Sequence, residues 1–338
     1  MSKPASAASS RSSTPLIVFA GIAWAIFSLL FFLLFSTPNA EGEKPEWFLL
    51  GITFLEAGAF AAASILCLRN WRSSQIVSGR NVWLSFGVGL LLYTLGNVMF
   101  FLWGNIWGQD PAVSLGDFFY ITSYVCLAIG MFQAVLPRRL NLEPPQWFVI
   151  LGVGLIGVLL AYFVNYGVTG APQAKVAPAP LVQLVQNPAT PAQPAKPPAQ
   201  PAKAPAQPAQ APAATPAPEA SNAPGWVLQL GQQLEPLESV VGFLYLAGDC
   251  LLIVLAATLL VAFWGGRFSQ SWKLIAIAAF CLYIADMCFA YAVNQGSYQE
   301  GSLWEVFWTF SAIFFGLGAV VEYAISTKSR RSPRRRRA

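Results

Sequence analysis

The feature that most restricts the fold of this chain is a series of continuous apolar blocks, each close to the roughly 20 residues that a helix needs to cross a bilayer. Hydrophobic residues make up 56% of the sequence and charged residues 10%. A segment in lipid satisfies its backbone only as a helix, and the blocks lack the short alternation of a membrane β-barrel. We therefore predict an all-α polytopic membrane protein. Its eight transmembrane helices are predicted at residues 16–36, 48–68, 83–104, 115–136, 147–167, 239–264, 272–294 and 303–325.

The charges of the loops alternate along the chain, and this alternation predicts an orientation. Every second loop carries basic residues, which are Arg69, Arg72, Arg80, Arg138, Arg139, Arg267 and Lys273. The loops between them, PNAEGEKPEW, GQDPAVS and NQGSYQEGS, are acidic or neutral. Because cytoplasmic loops are enriched in lysine and arginine, we predict that both termini are cytoplasmic. The first block has no convincing cleavage site and is retained as a span.

The net charge of +5 does not indicate nucleic-acid binding, because the excess lies in these loops and in the C-terminal tail SRRSPRRRRA. The tail either contacts anionic membrane lipids or docks a separate membrane or cytoplasmic protein. The residues predicted for this contact are Arg330, Arg331, Arg334, Arg335, Arg336 and Arg337.

A segment rich in proline and alanine separates the fifth and sixth spans and is predicted to be a disordered extracytoplasmic linker. Its prolines favour the polyproline II conformation, at about 3.1 Å per residue. It serves either as a spacer or as a ligand for a partner or for a cell-wall polymer. The stretch GWVLQLGQQLEPLESV that follows predicts a short amphipathic helix on the outer surface.

The sequence contains an internal repeat, in which SLGDFFYITSY at 114–124 matches SLWEVFWTFSA at 302–312. The alignment pairs Asp117 with Glu305 and, more weakly upstream, Glu56 with Asp249. We predict a parallel duplication of four helices plus four, with the linker inserted into the second copy. The predicted boundaries are 1–15 for the N-terminal tail, 16–140 for the first repeat, 141–168 for the fifth helix, 169–225 for the linker, 226–325 for the amphipathic segment and helices six to eight, and 326–338 for the basic tail.

Polar residues at membrane depth form the candidate ligand-binding site. They are Glu56, Asn97, Asp117, Asp249, Asp286 and Glu305, and the topology places them toward the outer leaflet. A carboxyl group in a span costs about 2.5 to 3.5 kcal/mol, so each should face the bundle or a watery cavity. Asn97 lies one residue out of register with Asp286, which leaves open whether the two face alike. Glu322, near the inner end of the last span, is expected at the interface within reach of Lys328.

The residue inventory excludes several kinds of site. The chain has no histidine, and no lysine or arginine lies at mid-span, which argues against ligated haem, a retinal Schiff base and intramembrane salt bridges. The carboxyl groups are then either neutral and hydrogen-bonded or matched to an external cation or amine. The five cysteines fall within spans and are expected to be packing residues. No enzyme motif occurs in a plausible context, so we expect no enzyme activity, no metal and no cofactor.

Three stretches, YLAGDCLLIVLA, YIADMCFAYAVNQGSYQEGSLWEVFWTFSAIFFGLGA and LGNVMFFLWGNIWGQDPAVSLGDFFYITSYVCLAIG, resemble a known membrane region. It is the multi-helix integral membrane sensor region found ahead of bacterial GGDEF (diguanylate cyclase) and histidine kinase domains. The resemblance implies a bacterial cytoplasmic-membrane signal-input module, and its acid-aromatic pattern carries over to Asp117, Asp249, Asp286 and Glu305. No output domain follows Ile325, so any output is expected to belong to another chain.

Three functions are compatible with these features. The leading hypothesis is a non-enzymatic membrane sensor or interaction subunit that binds a ligand or partner at the outer-leaflet polar cluster and signals to a separate chain. The second is a small-solute or cation transporter, favoured by the repeats and paired acids. The third is an assembly or scaffolding factor for a membrane complex, in which the acids are structural.

Overall fold

A computed structural model of the chain describes residues 9–38, 44–109, 113–136, 143–166, 223–264 and 269–334. Within these ranges the regular structure is helical throughout, without a strand. The helices are α1 (Ser9–Phe35), α2 (Glu46–Arg72), α3 (Arg80–Phe101), α4 (Leu115–Val135), α5 (Pro144–Tyr166), α6 (Gly225–Leu234), α7 (Glu238–Ala262), α8 (Ser269–Asn294) and α9 (Val306–Arg334). A π-helical turn, Leu102–Ile106, extends α3, and a 3₁₀ turn, Leu303–Glu305, precedes α9.

Eight helical stretches in the described part of the chain are long and apolar enough to cross a membrane. They correspond to α1–α5 and α7–α9, which confirms the predicted all-α, multi-pass class and the eight spans. Several helices extend beyond the predicted spans; α2, for example, continues to Arg72 instead of ending at residue 68. Hydropathy detects only the hydrocarbon part of a helix, whereas the helix itself continues into the polar interface.

Helix α6 is the short amphipathic helix predicted before the sixth span. It begins after Pro224 and buries Val227. The indole rings of Trp103 and Trp107, at the end of α3, contact the ring of Trp226 in α6. These contacts hold α6 over the end of the bundle at which α3 finishes. The predicted linker lies outside the described residues from 169 to 222.

The central helices pack in two groups that meet along two seams. One group consists of α2, α3 and α4, and the other of α7, α8 and α9. The seams are the contact of α2 with α9 and the contact of α4 with α7. Helix α1 lies against α9, while α5 lies against α7 and α8. The two peripheral helices therefore leave the interior to the six that carry the predicted site residues.

The bundle has two distinct ends. We call the end at which α2, α4, α7 and α9 begin the α6 end, and the opposite end, where α1 begins and α9 finishes, the terminal end. At the α6 end, the Lys44 ammonium group donates a hydrogen bond of 2.9 Å to the backbone carbonyl of Glu300. At the terminal end, the Asn70 amide donates one of 2.8 Å to the carbonyl of Ala319. Both bonds cross the seam between α2 and α9.

Two glycines allow tyrosine rings to lie against the backbone of a neighbouring helix. A Cβ atom added at Gly96 would lie 2.6 Å from the Tyr120 ring, and one added at Gly248 would lie 2.6 Å from the Tyr124 ring. Such distances are far shorter than van der Waals contact, so any side chain there would displace the ring. The glycines thus bring α3 and α7 close to α4 and direct the two tyrosines into the interior.

Candidate functional site

The residue Asp117 begins its helix as part of a capping box. The Asp117 carboxylate accepts hydrogen bonds from the Ser114 backbone N–H at 2.7 Å and from the Ser114 hydroxyl at 3.0 Å. The same Ser114 oxygen accepts the Gly116 N–H at 3.1 Å. Since the first N–H groups of a helix have no partner within it, this arrangement satisfies them. A local structural role explains why a carboxylate stands at the start of a membrane span.

Glu305 performs the same task before α9. Its carboxylate accepts the backbone N–H of Gly301 at 2.9 Å and that of Ser302 at 3.2 Å. Gly301 adopts a positive φ of 78°, which favours glycine, and this turns its N–H toward the carboxylate. Glu305 is buried, whereas Asp117 is partly exposed.

Lys44 and Glu300 lie close to Glu305, outside the spans. Burial lowers the pKa of Lys44 because it penalises the charged ammonium, although Glu305 and Glu300 attract that charge. Burial also raises the pKa of Glu300, and the nearby Lys44 opposes this rise. Lys44, Glu300 and Glu305 thus form a group of ionisable side chains at the surface of the α6 end.

A first buried chain of hydrogen bonds joins α2, α3 and α4. The Asn97 amide donates to the Glu56 carboxyl group at 3.0 Å, and the Tyr120 hydroxyl donates to the Asn97 carbonyl at 2.7 Å. The Tyr93 ring packs between these residues, stacked on Phe60 at 3.8 Å and edge-on to Tyr120 at 4.9 Å. Asn97 therefore faces the interior, together with the acid of the neighbouring helix.

A second buried chain centres on Asp286. Its carboxyl group accepts the Trp308 indole N–H at 2.8 Å and the Tyr124 hydroxyl. Asp249 of α7, which is only 3% exposed, lies close to it. The hydrogen bonds of Asp286 thereby connect α8 to α4 and α9. Asn97 of α3 bonds to Tyr120 of α4, and Asp286 of α8 bonds to Trp308 of α9. Each therefore contacts an aromatic side chain of the following span, and both face the interior although their positions in the repeat differ by one residue.

The Oδ1 atom of Asp249 is buried and receives no hydrogen bond from an N–H group or a hydroxyl of the described residues. A buried acceptor left in this way costs about 1 to 3 kcal/mol. Unsatisfied groups of this kind in a native fold call for an explanation, such as an ordered water or a bound ion. A proton shared with the adjacent carboxyl group of Asp286 is a further explanation of this kind.

Tyr245 of α7 links the two groups of helices by donating a hydrogen bond of 2.8 Å to Asp117. The edge of its ring also contacts Tyr124. Four aromatic residues thus complete the site, and sequence reasoning did not single them out: Tyr120, Tyr124, Tyr245 and Trp308. A signal was present for two of them, because Tyr120 and Tyr124 follow Asp117 by one and two helical turns and lie on its face.

The structure brings the six predicted residues together only in part. Glu56 bonds to Asn97, and Asp249 lies close to Asp286. Asp117 and Glu305 instead bond to the backbone of their own helix starts, and the two do not bond to each other among the described contacts. Side chains of the predicted tail contacts, from Arg330 onward, lie outside the described residues.

The expectation for Glu322 is wrong. Its side chain is fully buried at the terminal end, where it accepts the Ser326 hydroxyl at 3.2 Å. Ser326 also accepts the Val77 N–H at 3.3 Å. Hydropathy gives the depth of a residue but not the face of the helix on which it lies, and this face of α9 is covered by α2 and α8.

The described residues contain no group of three or more acidic, cysteine or histidine side chains that could hold a metal ion. All five cysteines are free thiols. Comparison of the chain with protein families, with characterised proteins and with solved structures found no match. The described groups at the α6 end are buried carboxyl groups, tyrosine hydroxyls, indole N–H groups and the amine of Lys44.

Proposed function

We propose that the protein is a non-enzymatic membrane sensor or interaction subunit. It binds a ligand or partner through the acid and tyrosine network at the α6 end and passes its state to a separate chain at the terminal end. The observation that carries this proposal is that the network crosses between the two groups of helices: Tyr124 of α4 bonds to Asp286 of α8, and Tyr245 of α7 bonds to Asp117 of α4. A change at either acid alters how the groups hold together.

Buried polar networks support such a role because they are costly unless fully satisfied. Each hydrogen bond that a ligand adds or removes at membrane depth changes the free-energy difference between two packed conformations of the bundle.

The proposed duplication of four helices plus four is part of this account. Its support is the similar pairing on the two sides: Glu56 with Asn97 and Tyr120, and Asp249 with Asp286 and Trp308. The seams also correspond, since α2 lies on α9 as α7 lies on α4. Two similar halves joined by hydrogen bonds form an assembly whose mutual arrangement a ligand can bias.

The proposed location is the bacterial cytoplasmic membrane, with both termini in the cytoplasm. The resemblance of the sequence to sensor regions and the positions of the basic loops support it. The terminal end then faces the cytoplasm, where the exposed Arg72, Arg80 and Lys328 and the basic tail are available to a partner and to anionic lipids. The separate output chain is expected to dock there.

Purification of the full chain from native membranes in mild detergent tests the function. The proposal predicts a kinase, cyclase or other signalling protein in constant ratio to the chain. A large assembly of structural subunits would point to the scaffold, and a chain that purifies alone and moves a solute into vesicles would point to a transporter; either result contradicts the proposal.

A further inference from the structure

We propose that a groove between α1, α2 and α9 binds one anionic phospholipid, with an acyl chain in the groove and the phosphate group at Arg69. This site is separate from the network at the α6 end and does not depend on the proposed sensor function. Three features of the structure support it: the apolar lining of the groove, its length, and a guanidinium group at its end with two unpaired nitrogens.

The groove forms where small residues of three helices face one another. Gly21 of α1, Gly58 of α2 and Gly316 of α9 line it, and its other lining side chains are aliphatic or aromatic. It encloses about 160 Å³. Ala20 and Ala62, which also line it, are exposed, so the groove opens toward the lipid. Because an apolar space of this kind does not hold water, its natural occupant at membrane depth is hydrocarbon.

The groove runs from the middle of the membrane to the terminal end. Trp24, at the middle of the span Thr14–Phe35, closes its deep end, because a Cβ atom added at Gly58 would lie 3.3 Å from the Trp24 ring. The indole N–H of Trp24 donates a hydrogen bond of 3.2 Å to the Leu55 carbonyl, which holds the ring at this position. From Gly58 to Arg69 the helix α2 rises by about 16 Å. Half of the hydrocarbon core of a bilayer is about 15 Å thick, so the groove has the depth of one leaflet and accommodates one acyl chain.

Arg69 lies at the terminal end of this groove. It follows Leu66, which lines the groove, by one helical turn and therefore shares its face of α2. The Cζ atom of Arg69 lies 4.3 Å from the centre of the Tyr323 ring in α9. Tyr323 in turn follows Gly316 by two turns, on the face of α9 that borders the groove. The guanidinium group thus reaches from α2 to α9 where the groove ends.

Two nitrogens of Arg69, Nε and Nη2, are buried and have no hydrogen-bond partner among the described residues. A buried charge without a counter-charge is strongly unfavourable, and the planar guanidinium group matches the oxygens of a phosphate. The side chain as a whole is half-buried, so a lipid headgroup can reach it from the membrane surface. Lys328, which is exposed at the same end of α9, adds positive charge. These charges favour an anionic lipid over a zwitterionic one.

The test uses the full chain, purified in detergent and stripped of lipid, and measures lipid retention by native mass spectrometry together with the melting temperature. The probe is dioleoylphosphatidylglycerol. Dioleoylphosphatidylcholine has the same chains without the net charge, and glycerol 3-phosphate has the phosphate without the chains. We expect one retained phosphatidylglycerol per chain and a saturable rise of the melting temperature. Phosphatidylcholine should bind about tenfold more weakly, and glycerol 3-phosphate should have no effect.

Two pairs of variants separate the groove from the charge. Ala62→Leu fills the groove from an exposed position and should abolish lipid retention. Its control is Gly152→Leu in α5, where an added Cβ atom meets nothing within 4 Å. Arg69→Gln should weaken the binding of phosphatidylglycerol by about tenfold. Its control is Lys273→Gln, which removes another cation at the terminal end, one that lies 5.5 Å from the centre of the Trp264 ring.

Circular dichroism without lipid checks that each variant folds. Arg69→Lys keeps the charge but not the planar fork of N–H groups, so it should also bind phosphatidylglycerol more weakly than the wild type, and it replaces Arg69→Gln if that variant does not fold. Four results would overturn the site: no lipid retained by the wild type, equal binding of the two lipids, a response to glycerol 3-phosphate, or equal binding by a variant and its control. A dimer of the wild type that Ala62→Leu abolishes would also overturn it, because the groove would then hold a second copy of the chain.

Discussion

The hydroxyl group of Tyr245 in α7 lies 2.8 Å from a carboxylate oxygen of Asp117 in α4, which it contacts as a hydrogen-bond donor. Asp117 simultaneously closes the capping box of α4 through Ser114. One side chain therefore both starts a membrane helix and fastens it to the other group of helices. A sequence change at this position affects a local and a long-range contact together.

Amide and apolar substitutions at the two capping acids should differ. Asp117→Asn keeps an oxygen that accepts the Ser114 N–H, so we expect little change in thermal stability. Glu305→Gln keeps only one of the two oxygens that accept the N–H groups of Gly301 and Ser302, so we expect a loss smaller than that of the apolar variant. Asp117→Ala and Glu305→Leu remove the acceptor oxygens and should lower the free energy of unfolding by about 1 to 3 kcal/mol. Thermal unfolding of the four variants in one detergent measures this. Equal losses for amide and apolar variants would show that the negative charge itself is required.

Sequence reasoning identified the eight spans because each depends on a local property, the length of an apolar block. It also identified the acids, because a charge in such a block is conspicuous. It missed the partners of those acids, such as Tyr245 and Trp308, because the choice depends on which helices are neighbours. The contacts of α2 with α9 and of α4 with α7 join residues far apart in the chain, and no periodicity within one span encodes them.

The capping boxes have a local sequence signal. Both Ser114 to Asp117 and Ser302 to Glu305 have the serine and acid spacing typical of a helix start. The same acids at membrane depth also predict a ligand-binding site, and the sequence alone does not separate the two roles. For Glu322, the local signal is misleading. Its position near a helix end predicts an exposed side chain, but the packing of α9 against its neighbours buries it.

Glu300 should give the protein a measurable pH dependence. Its pKa is raised by burial in the folded state, so its contribution to stability is present below the unfolded pKa of about 4.3 and is lost as the pH rises through the folded pKa. Glu300→Gln should remove this loss, and the stability curves of variant and wild type should separate above that pKa. Glu143→Gln, at an exposed acid, serves as the control. Parallel curves for Glu300→Gln and the wild type would contradict the effect of burial.

The linker should be dispensable for folding. Deletion of residues 187–222 leaves residues 171–186 and 223 onward to connect the fifth and sixth spans, and the entropy of loop closure changes slowly with length. We expect unchanged membrane insertion and helical content, measured by circular dichroism. A shortened chain that fails to insert would refute this, whereas a folded chain that loses its partner would assign the linker to partner binding.

The orientation can be tested by labelling. A single cysteine introduced at Ala199 should react with an impermeant thiol reagent in intact cells, and one at Ser329 should react only after the cells are opened. The five native cysteines are replaced first, since they are free thiols. The reverse pattern would place the α6 end in the cytoplasm and would move the candidate site with it.

The central claim is that the network at the α6 end controls a partner at the terminal end, and the pair Tyr124→Phe and Tyr283→Phe tests it most directly. Each substitution removes one buried hydroxyl and costs about 1 kcal/mol, but only Tyr124 bonds to Asp286, whereas Tyr283 donates to the Gly157 carbonyl at 2.6 Å. The measurement is the ratio of partner to protein recovered from native membranes. The account predicts a changed ratio for Tyr124→Phe and the wild-type ratio for Tyr283→Phe. Equal ratios in both variants, at equal folding, would contradict it.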